Sequence, residues 1–190
     1  MHHNASCPVP LTGTIRQLRP SDLPRFREHL LRLDAASRRD RFNGSLNEKF
    51  IAAYADRCFA NGATVVGYVD GSKVLGAAEL HERPELAEPT GEIAFSVERE
   101  LQNRRIGGQL FARLIANARG LGYKRLLVTT HPQNEAMKAL ARRFNARLTF
   151  EAGETVGVID LDRFPFEEHE AADRHRPFGV SPVRYGPAAL

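Results

Sequence analysis

The sequence has few cysteines, no tryptophan and no long hydrophobic segment. Two cysteines, Cys7 and Cys58, are too few for a disulfide framework, and no CxxC or Cys/His spacing indicates a metal site. The uncharged internal run at residues 58–69 is too short and too polar to span a bilayer. Residues 1–14 lack the basic start and the apolar stretch of a signal peptide. We therefore expect a cytoplasmic protein with no bound metal and no membrane partner.

The charged residues of either sign are distributed along the sequence and do not form one cluster. The formal net charge is +4 and the sequence pI is about 9.4, but the lysines and arginines are spread along the chain. Nucleic-acid binders usually concentrate these residues on one face, so we expect no nucleic-acid partner. A mild excess of positive charge suits a small anionic ligand. With 190 residues, 42% of them hydrophobic, the chain is long enough for one domain with an ordinary core.

Hydrophobic periodicity predicts a strand, two helices and three hairpin strands, then a helix and a strand that complete a βαβ unit with the third of these, and finally a helix and two closing strands. This order is typical of an α/β (α+β) fold with a mixed central sheet of about seven strands and helices on both faces. The predicted strands are 14–19, 64–70, 73–81, 91–98, 124–130, 147–151 and 154–161, and the predicted helices are 22–33, 47–60, 107–122 and 134–144. Residues 34–44 are expected to connect the first two helices. In the helix at 47–60, Phe50, Ala53, Tyr54 and Phe59 are expected to form the apolar side.

These elements lie between two segments of different composition. Residues 1–13 are expected to be a flexible N-terminus, and residues 14–162 hold the predicted domain. Residues 163–190 contain several prolines and few periodic apolar residues, which predicts an irregular C-terminal extension.

The segment 97–111, VERELQNRRIGGQLF, joins a predicted strand to a predicted helix through an arginine-rich loop. The first amides of a helix have no partner within it, and the helix dipole favours anions there. Gly107 and Gly108 have no side chain to block a ligand from the backbone, and Arg104 and Arg105 add positive charge. These features predict a phosphate or pyrophosphate site, although an ordinary tight turn would also explain the glycines. The P-loop and dinucleotide fingerprints are absent.

Two segments resemble motifs of one family. Gln102–Gly107 (QNRRIG) is similar to the Q/R-x-x-G-x-G/A signature of the GNAT superfamily of N-acetyltransferases. Residues 131–144 (HPQNEAMKALARRF) resemble an N-x-A-M-x-x-L-A helix found in GNAT domains of bacterial acetyltransferases. The resemblance covers about residues 14–162. It implies the GNAT fold, acetyl-CoA as the acyl donor without a metal, and transfer of the acetyl group to a primary amine.

The resemblance also implies roles for particular residues. Backbone amides of the loop would bind the CoA pyrophosphate, and a backbone N–H at a bulge in the preceding strand would hold the thioester oxygen. Asn134 would contact the cofactor arm, although an asparagine there would equally cap the helix. The expected cofactor-binding residues are Phe95, Ser96, Val97, Gln102, Asn103, Arg104, Arg105, Ile106, Gly107, Gly108 and Asn134.

Glu92 is the expected catalytic residue. An alkyl amine is almost entirely protonated near pH 7, so a base is expected. Glu92, in GEIAFSV, resembles a glutamate that deprotonates the amine in some members of the family. The alternative is a solvated glutamate near a strand end, and Glu79 and His81 on the neighbouring strand are the reserve candidates.

The chain departs from the family pattern at two positions. Arg105 stands where the family has its first glycine, and Ala141 stands where many members have a tyrosine acid. A positive φ at Arg105 would cost about 1 kcal/mol, which a guanidinium–phosphate contact could offset. Two alternatives therefore stay open: a catalytically idle acetyl-CoA-binding regulatory module, and a fold relative that transfers another acyl group or binds no CoA. The sequence does not determine the acceptor amine, and it is compatible with a homodimer.

Overall fold

The computed structural model describes residues 11–44 and 46–163. Most of the predicted flexible N-terminus and nearly all of the predicted C-terminal extension lie outside these residues. The described strands are Thr14–Gln17 (β1), Thr64–Asp70 (β2), Lys73–Glu82 (β3), Thr90–Val97 (β4), Arg125–Thr130 (β5), Arg147–Glu151 (β6) and Glu154–Asp160 (β7). The described helices are Leu23–Arg32 (α1), Ala35–Phe42 (α2), Glu48–Ala60 (α3), Ile106–Gly120 (α4) and Glu135–Arg143 (α5).

The seven described strands form one sheet in the order β1-β2-β3-β4-β5-β7-β6. Neighbouring strands are antiparallel except β4 and β5, which are parallel and are connected through α4. The turn between β2 and β3 follows the Asp70-Gly71 signal, and Gly71 has a positive φ of 56° that suits glycine. The mixed sheet of about seven strands is therefore confirmed.

Helices cover both faces of this sheet, as predicted. α4 and α5 lie on one face, called the α4 face below, where Phe111 and Phe144 pack with Ile93 and Leu126. α1 and α3 lie on the opposite face, the α1 face, with a core that includes Phe26, Leu30, Ile51, Val65 and Ala77. Because successive side chains of a strand point to opposite faces, β2 and β3 contribute residues to both cores.

α2 was not predicted. Asp34 caps its first turn by accepting a hydrogen bond from the Ser37 amide at 2.8 Å, and Asn43 ends it with a left-handed φ of 51°. These start and stop signals are present in the sequence. The intervening residues, AASRRDRF, have no apolar stripe, so periodicity gave no helical signal.

The buried face of α3 also differs from the prediction. We expected Phe50, Ala53, Tyr54 and Phe59 to form its apolar side, whereas Ile51, Ala55 and Cys58 are the buried residues and Phe50 is 43% exposed. The reason is that both faces of this helix carry apolar residues, and only tertiary packing, chiefly against α1, selects the buried face. Among the described residues, no helix has the length and apolar character needed to cross a bilayer.

Candidate functional site

The strands β4 and β5 separate from each other halfway along their length. They pair only from Thr90 with Arg125 to Glu92 with Leu127. Beyond this point β5 continues to pair with β7 and β4 continues to pair with β3. Among the described residues, the edge of β4 from Ile93 to Val97 that faces β5 therefore has no strand partner, and the backbone N–H groups on this edge are available to a ligand.

The expected electrophile-holding segment, Phe95 to Val97, lies on this unpaired edge. The bulge expected in β4 is wrong, because β4 pairs with β3 in unbroken register from Gly76↔Val97 to Glu82↔Gly91. The open edge comes instead from the separation of the two parallel strands. A register shift occurs between β2 and β3, at Tyr68 and Val69.

The side chains of this segment are already used within the protein. Phe95 stacks on Phe111 with ring centroids 4.7 Å apart, and Val97 packs in the same core on the α4 face. Ser96 points to the α1 face, where its Oγ lies 2.9 Å from Nε2 of His29. Only the backbone of these three residues can therefore face a cofactor, in agreement with the expected type of contact.

His29 connects α1 to the end of β4. It is fully buried, and its Nδ1 lies 3.1 Å from Oε1 of Glu98, which also accepts a 2.8 Å hydrogen bond from Arg32. Burial lowers the pKa of His29 below its usual range, so the ring is neutral near pH 7. Glu98 can only accept from Nδ1–H, so Nε2 accepts from the hydroxyl of Ser96.

The loop before α4 departs from the usual backbone conformations at two residues. Asn103 and Arg105 both have left-handed backbones, with φ of 59° and 64°. The positive φ expected at the family's glycine position is therefore present at Arg105, and it costs about 1 kcal/mol for a residue with a Cβ. The first amides of α4 follow directly, and its first turn contains no acidic residue.

Packing among the described residues does not explain the two glycines at the start of α4. A Cβ added at Gly107 would lie 3.5 Å from Cδ2 of Leu140, and one at Gly108 would lie 3.6 Å from Nη1 of Arg143. These are ordinary contacts with the ends of side chains, so alanine would fit at either position. Glycine here leaves the backbone open, as a pyrophosphate requires, and the residues present thus fit coenzyme A.

The other loop residues have different surroundings. Gln102 is exposed, but its Nε2 donates to the carbonyl oxygen of Val97 at 3.0 Å and to Oγ of Ser37 at 3.1 Å. Its side chain therefore ties the loop to β4 and α2. Ile106 is 1% exposed and anchors the helix start in the core, which leaves only its backbone for a ligand. Arg105 is exposed.

Asn134 caps α5, where its Oδ1 accepts from the amide of Met137 at 2.9 Å. The capping interpretation is thus confirmed, and a contact with the cofactor stays a prediction. Ala141 is 1% exposed and lies in the core on the α4 face, so this position offers no acid to a leaving thiolate.

Glu92 lies on the α1 face, opposite His81 in the β3–β4 pairing. Strand alternation puts Ala94 and Ser96 on the same face, as expected. The carboxylate is about one-third exposed, and its Oε2 accepts from Nη1 of Arg83 at 2.6 Å. The Glu92 side chain is therefore partly exposed and paired with Arg83, rather than fully solvated or fully buried.

A buried polar cluster lies next to Glu92, and it was not predicted from the sequence. Its members are Arg41 from α2, Tyr54 and Cys58 from α3, and Glu79 and His81 from β3. Glu79 is fully buried, and both its oxygens lie 2.7 Å from Nη2 of Arg41. Burial alone would raise the pKa of Glu79, but the charge of Arg41 and the hydrogen bonds from His81 and Arg41 together outweigh it and hold this pKa at about 2.

This cluster does not form a good metal site. Cys58, Glu79 and His81 bring possible ligand atoms within 4.8 Å of one another. Both oxygens of Glu79 already accept from Arg41, however, and a cation there would be repelled by the buried guanidinium. The cluster is better described as a network of hydrogen bonds that packs beside Glu92.

Comparison with known proteins agrees with this geometry. The family model described as Acetyltransferase (GNAT) family matches residues 28–146, which is more than half of the chain. A comparison with curated protein sequences finds no significant match.

The fold is shared with solved structures of low sequence identity. One is the GNAT domain of PAT from S. lividans, with a TM-score of 0.66 and 19% identity, covering 78% of this chain and 90% of that one. A second is yncA, a putative acetyltransferase from Salmonella typhimurium solved with its cofactor acetyl-CoA (TM-score 0.59, 20% identity, 80% and 95% covered). A third is a phosphinothricin acetyltransferase from Sinorhizobium meliloti in complex with acetyl-CoA (TM-score 0.59, 20% identity, 83% and 95% covered). The match across the separated strands, the loop and α5 shows that the chain belongs to the GNAT family of acetyltransferases.

Proposed function

We propose that the protein is an N-acetyltransferase that moves an acetyl group from acetyl-CoA to a primary amine, by direct attack of the amine on the thioester. The observation that carries this proposal is the meeting of two open backbone surfaces: the unpaired β4 edge and the start of α4. Bound acetyl-CoA supplies an activated acetyl group, so the protein needs mainly to position the amine and the carbonyl. A cytoplasmic location is part of this proposal.

Backbone groups carry most of the proposed cofactor contacts. The amides at the start of α4, from Ile106 to Gly108, would hold the pyrophosphate, with the loop residues Gln102 to Arg105 shaping its approach. An amide between Phe95 and Val97 would hold the thioester oxygen, because these groups have no partner on the β5 side. Asn134 would keep its cap and offer its amide nitrogen to the cofactor arm.

Glu92 is the proposed base. Arg83 holds one of its oxygens, and the other accepts no hydrogen bond from the described residues. A primary alkyl amine has a pKa of about 10.4, so the ammonium must lose a proton before attack. Glu92 would take it, directly or through a water molecule.

A second candidate is a module that binds acetyl-CoA without turnover. The buried Ala141 favours it, because no acid stands at that position to protonate the thiolate. Free thiols have a pKa of about 8.5, so water can serve instead, and we favour the enzyme. Release of free thiol from acetyl-CoA in the presence of amines distinguishes the two.

Calorimetric titration with acetyl-CoA is the primary test, with free CoA and ATP as controls. Micromolar binding of acetyl-CoA without binding of ATP is the expected result. Thiol release is then measured with a panel that includes free lysine, a lysine-containing peptide and small primary amines. Absence of binding would refute both the enzyme and the idle module, and binding without any thiol release would favour the module.

A further inference from the structure

His81 and Glu92 are neighbours across β3 and β4, although no direct hydrogen bond joins their side chains among the described residues. The two residues are direct partners in the antiparallel pairing of β3 and β4, and such pairs have Cβ atoms about 5 Å apart on one face of the sheet. The side chain of His81 is 29% exposed, so its ring contacts both the buried cluster and solvent. It is thus the member of the cluster that can pass a proton outward.

The hydrogen atoms of the buried cluster can be assigned from its contacts. Glu79 is ionised near neutral pH, because its pKa is held at about 2, and it can only accept. The hydroxyl of Tyr54 donates to Oε2 of Glu79 at 2.5 Å and accepts from Nη2 of Arg41 at 2.6 Å. Burial raises the pKa of Tyr54, so this hydroxyl keeps its proton.

These assignments determine the tautomer of His81. Its Nε2 lies 3.1 Å from Oε2 of Glu79 and 3.2 Å from the hydroxyl oxygen of Tyr54. The first atom can only accept, and the second has already given its hydrogen to Glu79. Nε2 must therefore carry a hydrogen and donate it, and the lone pair of the neutral ring lies on Nδ1.

A lone pair on Nδ1 is useful beside Glu92. A carboxylate is a weak base toward an ammonium, because their ordinary pKa values differ by about six. An imidazole is ordinarily a better proton acceptor than a carboxylate by about two pKa units, and it exchanges protons readily with water. A histidine next to Glu92 would therefore return the carboxylate to its ionised form in each turnover.

We propose that His81 relays the acceptor's proton from Glu92 to solvent, with Glu79 and Tyr54 as positioning residues that fix its tautomer. The inference rests on the proposed function. The substrate ammonium gives a proton to Glu92 and becomes a neutral amine. The Glu92 carboxyl gives that proton to Nδ1 of His81 through a water molecule, and the imidazolium releases it to solvent, which restores both groups.

Several ionisable groups face His81 and set its charge environment. Glu79 lies two residues away on the same strand, and Glu92 lies opposite with its partner Arg83. The helices contribute Tyr54 and Cys58 from α3 and Arg41 from α2. The two carboxylates are each balanced by an arginine, so the ring is not next to an unpaired charge.

The tautomer can be measured without any substrate. Long-range ¹H–¹⁵N NMR of the full-length protein distinguishes a neutral ring protonated at Nε2 from one protonated at Nδ1. His81→Gln identifies the His81 signals by their loss. We expect protonation at Nε2 in the native protein and a mixture of tautomers in Glu79→Gln, whose amide can also donate. A ring protonated at Nδ1 in the native protein would overturn the relay.

The relay itself is tested by chemical rescue. His81→Ala should lower kcat about tenfold or more with a lysine-containing peptide as acceptor, with acetyl-CoA affinity unchanged. Added imidazole should restore part of the lost rate in this variant and leave the native rate unchanged. An unimpaired His81→Ala, or an impaired one that imidazole does not rescue, would overturn the relay. Failure of the native protein to acetylate any amine would instead overturn the proposed function and the relay with it.

Discussion

Nη2 of Arg41 lies 2.7 Å from both carboxylate oxygens of Glu79, and both side chains are almost completely buried. Arg41 comes from α2 and Glu79 from β3. This pair therefore connects α2, which lies beside the loop before α4, to the strand that pairs with Glu92. Ser37, one helical turn before Arg41, accepts the hydrogen bond from Gln102 of that loop. The loop before α4, where the cofactor is proposed to bind, and the strand next to Glu92 are thus joined through α2.

Replacing Arg41 should destabilise the protein strongly. Arg41→Met leaves the Glu79 carboxylate buried without its counter-charge, and breaking such a pair costs about 3–5 kcal/mol in the free energy of unfolding. Urea denaturation at pH 7 measures this loss. Arg39→Ala, an exposed change on the same helix, should alter stability by less than about 0.5 kcal/mol. Equal effects of the two changes would contradict the buried pair.

The same pair should make stability depend on acid pH. The pKa of Glu79 is lowered to about 2 from an ordinary value near 4.5, so its ionised form stabilises the fold. This contribution is complete above about pH 4.5 and is lost as the pH falls through about 2. The stability difference between the native protein and Glu79→Gln should therefore shrink over this range. Urea midpoints measured across the range test this, and a constant difference would contradict the lowered pKa.

A bulky acidic residue at the start of α4 should abolish acetyl-CoA binding without unfolding the protein. Gly107→Glu places negative charge against the proposed pyrophosphate site, and the protein itself leaves room for a Cβ at this position. Gly107→Ala is the control and should keep the native melting temperature within a few degrees. Calorimetry and thermal denaturation provide the two readouts. Micromolar binding by Gly107→Glu would place the cofactor elsewhere.

Replacing Arg105 with glycine should stabilise the protein slightly while weakening its affinity for acetyl-CoA. Arg105→Gly removes the cost of a left-handed φ at 64° but adds freedom to the unfolded chain, so we expect a net gain below about 1 kcal/mol. Acetyl-CoA should bind more weakly, because the guanidinium is lost. Arg105→Ala keeps the strained backbone and should weaken binding without stabilising the protein. Undiminished affinity in both variants would remove Arg105 from the site.

Glu92→Gln should lower turnover at neutral pH, and the deficit should shrink as the pH rises and more of the amine loses its proton without help. The affinity for acetyl-CoA should be nearly unchanged. Glu85→Gln is the matched control, because Glu85 also pairs with Arg83 but lies in the exposed loop after β3. A pH–rate profile in Glu92→Gln that parallels the native one would rule out the base assignment.

The sequence predicted the sheet well because its strands have clear signals. β2 and β6 begin and end at the predicted residues, and the other strands differ by at most two residues at either end. α2 was missed because a short helix that packs through one arginine and one aromatic residue has no apolar period. The apolar side of α3 was wrong because Phe50 and Ile51 are equally hydrophobic, and only tertiary contacts decide which is buried.

By itself, the sequence determined the order of strands and helices, the resemblance to the GNAT family, and the loop from Gln102 to Gly108, because turn residues, periodicity and local motifs act over a few neighbouring positions. Only the tertiary structure decided that β4 and β5 separate after Glu92, that the β4 edge is open without a bulge, and that Arg41 reaches Glu79 across 38 residues of chain. These features depend on pairing and charge burial between distant segments. The amino-acid sequence contains no local pattern that predicts such contacts, because the contacts stabilise the protein only when the distant segments come together in the fold.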